Sequence, residues 1–164
     1  MDQAPHLGDP RRLRRRGPLL AACNIFGEVQ WFPNGTNFED ADRDGVRDAL
    51  DCAPDNTSAF AVPREVRNAR FPGATLLAWS SERPRSGSGT RYDVLRGDLS
   101  ELPVGSGPRE ACLADGTGAE TMTEPAVPAA GRGFYYLVRA ENACGAGTYG
   151  ASTQAVERTS TACR

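Results

Sequence analysis

The chain has 164 residues, a formal charge of −2 and 19 basic residues, all of them arginine. With 18 Gly, 12 Pro and 39% hydrophobic content it can build one modest core, and this composition argues against a helical bundle. No segment is long and apolar enough to span a membrane. The arginine run near the N-terminus lacks the interleaved aromatic residues and the basic folded face that a nucleic-acid partner would require. No physical property demands the absence of lysine, which is read as the codon bias of a GC-rich genome.

Residues 1–36 show no clear periodicity and are expected to form a poorly ordered tail. Within them, "RRLRRRGPLLAAC" places five arginines ahead of the box Leu20-Ala21-Ala22-Cys23. The apolar run from Leu19 to Ala22 is far shorter than the ~7–15 residues of an export core. That favours an arbitrary or misassigned start of a longer chain, with lipidation at Cys23 left open.

Residues 37–58 carry six aspartates and Glu39 against Arg43 and Arg47. Carboxylates packed this closely repel one another unless a cation lies among them. In "DADRDGVRDALDCAPDN", Asp40, Asp42, Asp44, Asp48 and Asp51 recur around Gly45. Calcium takes about six to eight oxygen ligands. Carboxylates at alternate positions of a tight loop can converge on one such ion, and the glycine lets the chain turn so that the Val46 carbonyl joins them. The expected ligand set is therefore Asp40, Asp42, Asp44, Val46, Asp48 and Asp51, with Asp55 or Asn56 available to a second ion. Arg47 stands where an EF-hand needs an apolar residue, and Pro54 leaves no room for an exiting helix.

From Val62 onward, short β-like runs alternate with turn-rich stretches, as in a sandwich. The expected strands are 65–71, 74–80, 91–97, 119–124, 133–142 and 148–157. "ERPRSGSGT" and "LPVGSGPRE" are expected to be exposed loops that do not pack. In "GFYYLVRAEN", Phe134, Tyr136, Val138 and Ala140 should face the core, and Tyr135, Leu137, Arg139 and Glu141 should face outward. Trp79, Leu77, Val94, Tyr136, Val138 and Ala140 are expected to be buried between two antiparallel sheets. Residues 159–164 read as a C-terminal tail.

The five cysteines, Cys23, Cys52, Cys112, Cys144 and Cys163, are widely spaced and form no CxxC pair. With His6 as the single histidine, zinc has little support, and disulfides in an oxidising compartment are the better reading. The same lack of a histidine base in the folded part argues against an enzyme. Asp93, Asp98 and Glu101 read as solvated strand-edge and turn charges. Ser86 to Gly89 lacks the lysine of a phosphate loop. Trp31, Tyr135 and Tyr149 could form a sugar-binding face, although packing between strands suits them better.

Two stretches carry a resemblance. "DADRDGVRDALDCAPDN" resembles a thrombospondin type 3 repeat, with Ala53 inserted between Cys52 and Pro54. Residues 62–158 resemble a fibronectin type III domain: Trp79 matches its core tryptophan on the second strand, "YDVLRG" its third strand, and Tyr136, Val138, Ala140, Asn142 and Gly145 its penultimate strand. Phe134 stands where that family carries a corner tyrosine. Together they are similar to a C-terminal unit of secreted bacterial proteins. The resemblance implies an all-β, fibronectin type III-like antiparallel β-sandwich preceded by an irregular calcium-binding loop segment. It implies a non-catalytic extracellular or cell-surface module, structural or adhesive, with calcium and an extracellular protein or glycan as partners. The alternative is a carbohydrate-binding accessory module of a secreted hydrolase. From the same likeness, with a fourth strand at "LSELP", comes an expected Cys112–Cys144 bridge; Cys52, before the first strand, and Cys163, after the last, form the second expected pair, with Cys163 equally able to reach Cys144, and Cys23 is left over.

Overall fold

The computed structural model describes residues 39–105 and 107–163 in full, together with the backbone of residues 19–23 and 29–33. Within the N-terminal part, β1 (Leu19–Cys23) and β2 (Val29–Pro33) pair as an antiparallel hairpin, from Leu19 opposite Pro33 to Cys23 opposite Val29. The side chains of Cys23 and Trp31, and with them the lipidation and sugar-face expectations that use them, lie outside the described residues.

The folded body is an all-β sandwich. One layer pairs β3 (Leu76–Ala78) with β6 (Thr121–Thr123). Residues 67–70 extend this layer through hydrogen bonds to Ala78 and Ser80 and one bridge at Arg70. The other layer has four strands in the order β5 (Ala111–Thr117), β4 (Arg91–Asp98), β7 (Phe134–Asn142), β8 (Gly145–Ala146), all antiparallel. Of the expected strands, 91–97 and 133–142 appear almost whole, 74–80 and 119–124 are shorter, and 65–71 and 148–157 contribute isolated bridges. "LSELP" is a single 3₁₀ turn, Leu99–Glu101, not a strand. The Asp98 carboxylate accepts hydrogen bonds from Ser100 N (2.9 Å) and Ser100 Oγ (2.7 Å), which draws the chain out of the sheet.

Between the layers Val66, Leu77, Trp79, Tyr92, Val94, Val138 and Ala140 form the main core. Trp79 and Tyr92 meet edge to face, with ring centroids 5.7 Å apart. Tyr136, expected to be buried, is only half-buried: it packs against this core but lies at its rim, edge-on to Phe71 and Phe134.

The outer face of the four-stranded sheet is covered as well. Leu95, Tyr149 and Cys163 are buried there, with Cys112, Tyr135 and Leu137 packed on them. Tyr135 and Leu137 thus point away from the main core, as their alternation requires, yet meet protein instead of solvent. Residues 159–163 are not a tail. Ser160 Oγ donates to Glu110 at 2.5 Å, Tyr135 OH donates to the same carboxylate at 2.5 Å, and Cys163 is buried. Burial works to raise the Glu110 pKa, but the hydrogen bonds from Ser160, Tyr135 and the Gly105 N–H outweigh it and hold the carboxyl below its ordinary range.

The expected disulfides are corrected. Cys52 bonds Cys144, and Cys112 bonds Cys163. Cys112 lies within β5 opposite Leu95, on the face over which the C-terminal segment runs. Cys144 lies in the turn between β7 and β8, where the acidic segment arrives. Two disulfides are characteristic of an oxidising or extracellular environment. Among the described residues no helix is long and apolar enough to cross a membrane.

Two further expectations fail for physical reasons. "ERPRSGSGT" packs: α1 (Arg83–Ser86) is a short helical turn, and Glu82, Ser86 and Thr90 are buried. Gly87 has φ +117°, and a Cβ there would lie 2.2 Å from Ser58 O, so glycine is what lets the two backbones touch. Asp93 is not solvated. It is fully buried opposite Arg139, whose Nε and Nη2 donate to its Oδ2 at 3.1 and 2.7 Å, while Gly116 N donates to Oδ1. Asp98 is likewise nearly buried.

Candidate metal centre

The acidic loop folds on its own carboxylates. Asp40 Oδ1 accepts from Arg43 N (2.7 Å) and its Oδ2 from Gly45 N (3.2 Å). Asp42 Oδ1 accepts from Asp44 N, Asp44 Oδ1 from Val46 N, and Asp48 Oδ1 from Ala41 N. The Asp48 N–H donates to Glu39 O at 2.8 Å and closes the ring of backbone. Gly45 at φ +97° supplies the left-handed step that this closure needs. Asp42 and Asp44 each spend one oxygen on the backbone, whereas Asp40 spends both.

Asp40, Asp42 and Asp44 bring carboxylate oxygens within 4.8 Å of one another. Asp51, at the far end, is buried, and its Oδ1 accepts from Ala53 N at 2.7 Å. Four buried carboxylate oxygens have no hydrogen-bond partner among the described residues, and three of them belong to this loop: Asp42 Oδ2, Asp44 Oδ2 and Asp51 Oδ2. A buried acceptor without a donor is costly. Burial pushes the Asp42 carboxyl above its ordinary pKa; the backbone hydrogen bond from Asp44 opposes this, and the charges of Asp44, Asp51 and Asp40 add to it. The donor set is all oxygen, hard and anionic, which suits calcium and not a thiolate- or imidazole-seeking metal.

Of the six expected ligands, the close group contains three, Asp40, Asp42 and Asp44. Asp51 lies outside that group, beside the Cys52–Cys144 bridge, with its oxygen within 4.8 Å of both sulfurs. Those sulfurs are bonded to each other and are not metal donors. Asp48 and Val46 belong to the loop through their backbone-linked contacts. Asn56 turns inward on its own chain, accepting from Ser58 N and Ser58 Oγ.

The loop is fastened to the sandwich. Beyond the Cys52–Cys144 bridge, Phe60 N donates to Ser86 O (3.1 Å) and Gly89 N to Ser58 O (2.8 Å). Asn142 Nδ2 reaches both Ala61 O (2.9 Å) and Ser86 O (2.8 Å). This clamp at the end of β7 was not singled out in the sequence for this role, although an amide ending an alternating apolar run is the available signal. The aromatic sugar face does not form from Tyr135 and Tyr149: the first is hydrogen-bonded to Glu110 and the second is buried beneath Arg139. Comparison with known families, with curated proteins and with solved structures gives no match for this chain.

Proposed function

We propose that the protein is a non-catalytic, calcium-binding structural or adhesion module of the extracellular space or cell surface. The observation that carries this reading is the trio of buried, unpartnered oxygens on Asp42, Asp44 and Asp51, each on a carboxylate whose other oxygen accepts a backbone N–H. A divalent cation among Asp40, Asp42 and Asp44 would satisfy the first two of these oxygens and offset the repulsion of the carboxylates around it. The thrombospondin type 3 resemblance of residues 40–56 supports the same ion. The strand order β5-β4-β7-β8 facing β3-β6, with Trp79 buried directly after β3, supports a fibronectin type III-like sandwich. The bridge and backbone bonds from residues 52–61 to the sandwich make the ion's site part of the body, so calcium would stiffen the junction between them.

Calorimetric and thermal titration of the full chain tests this. Calcium bound by the native state alone should raise stability by about 2.7 kcal/mol at a hundredfold excess over Kd. Asp44→Asn and Asp51→Asn should weaken binding at least tenfold while leaving the melting temperature in EDTA unchanged or higher, since each removes an unpaired buried charge. A flat heat of titration together with a melting curve indifferent to calcium would refute the site.

A further inference from the structure

We propose that the groove between residues 64–68 and α1 binds an acidic saccharide, with Glu82 accepting a sugar hydroxyl and Arg64 and Arg67 holding the acid group. This stands independently of the calcium reading, because no residue of the acidic loop takes part. Glu82 provides the fourth buried carboxylate oxygen without a partner, Oε2. The residue is 1% exposed, and its backbone is fixed. Its N–H donates to Tyr92 OH at 2.9 Å, and its carbonyl accepts from Arg85 N, Ser86 N and Ser86 Oγ. Oε1 has only Arg85 Nη1 at 3.5 Å, longer than the ~2.7–2.9 Å of a charge-assisted hydrogen bond.

Glu82 lies at the meeting of two cavities that share Arg67, Glu82 and Arg85. The smaller, about 160 Å³, adds Arg64 and Glu65. The larger, about 410 Å³, adds Asn68, Ser80, Ser81 and Pro84, and its size falls within the roughly 300–1,000 Å³ of small-molecule sites. Neither Arg64 nor Arg67 makes a side-chain hydrogen bond or ion pair among the described residues. Arg64 and Arg67 are exposed, so the groove offers unengaged guanidinium donors, and Glu82, which lines both cavities, carries one buried acceptor without a partner. A guanidinium fork matches a carboxylate. The group facing Glu82 must donate a proton, and among three arginines a neutral hydroxyl is favoured over an ammonium, which they would repel. Uronic acids carry a carboxylate beside hydroxyls and meet both demands.

Titration of the full chain with digalacturonic acid, followed by calorimetry and by amide chemical shifts, tests the proposal. Lactose serves as the neutral control and inorganic sulfate as the bare anion, all in EDTA so that uronate chelation of calcium plays no part. Saturable digalacturonate binding is expected, with sulfate at least tenfold weaker and lactose silent. The doubly exposed variant R64Q/R67Q should lose at least tenfold in affinity, and Glu82→Gln should lose affinity with the fold kept. Should Glu82→Gln fail to fold, R64Q/R67Q still decides. Absence of saturable binding, equal affinity for sulfate, or affinity retained in R64Q/R67Q each overturns it.

Discussion

Tyr92 shows how one side chain can hold several parts together. Its ring fills the core against Trp79, and its hydroxyl accepts the Glu82 N–H at 2.9 Å and lies 3.3 Å from Ser81 Oγ. Tyr92→Phe keeps the ring and strands a buried N–H, so it should cost about 1–3 kcal/mol in urea denaturation. A change within experimental error would show that the N–H finds water instead. At this scale the acidic loop was legible because its aspartates are neighbours in sequence: alternation around one glycine lets each carboxylate reach a nearby backbone N–H. Asp93 and Glu82 were not legible, because a carboxylate in a strand or turn reads as solvated until its partner is known. The Asp93 partner, Arg139, sits on another strand, and the only local hint was a charge in the middle of each of two apolar runs.

At the scale of elements, β4 is the axis of the fold. It pairs with both β5 and β7, and Tyr92 and Val94 face one cluster while Leu95 faces the other. Long alternating runs such as β4 and β7 declared themselves, since burial on either face leaves a pattern of period two. β5 was not among the expected strands: its run Ala111–Thr117 is broken by Asp115 and Gly116, and Gly116 at φ +65° lies near the register shifts between β4 and β5. Without β5 in place, Cys112 was put at the wrong pole, and the disulfide expectation failed with it. Non-reducing peptide mapping should find Cys52 linked to Cys144 and Cys112 linked to Cys163. Replacing Cys112 and Cys163 together by serine should lower stability by about 4 kcal/mol through the freed unfolded chain, measured as the shift in denaturation midpoint. A Cys112–Cys144 peptide would contradict the fold.

For the whole molecule, the sandwich class followed from many short strands and few helical signals, but the second layer of cover did not. Residues 147–163 are mostly small and polar, and Tyr149 and Cys163 are the apolar side chains they bury over the sheet. That cover has a pH signature. Burial, more than the charges of Asp93, Asp115 and Glu110 and against the pull of Arg139, raises the Tyr149 hydroxyl to about 12. The unfolded chain ionises near 10, so this contribution is intact below pH ~10 and is lost as pH rises toward 12, at about 1.4 kcal/mol per pH unit. Denaturation midpoints between pH 9 and 12 should fall accordingly, and Tyr149→Phe should flatten part of that fall. A slope unchanged in Tyr149→Phe would assign the fall to other groups. The two bridges also decide how the molecule carries tension. For a pull applied ahead of Cys52 and beyond Cys163, the shortest covalent path crosses from Cys52 to Cys144 and follows residues 145–163. Cys163 is also bonded to Cys112 in β5, so the folded sheet holds the two ends of residues 145–163 in place. Stretched as a tether, the module would load the pairing of β5, β4 and β7 first, and residues 145–163 would cap the extension once that pairing gave way.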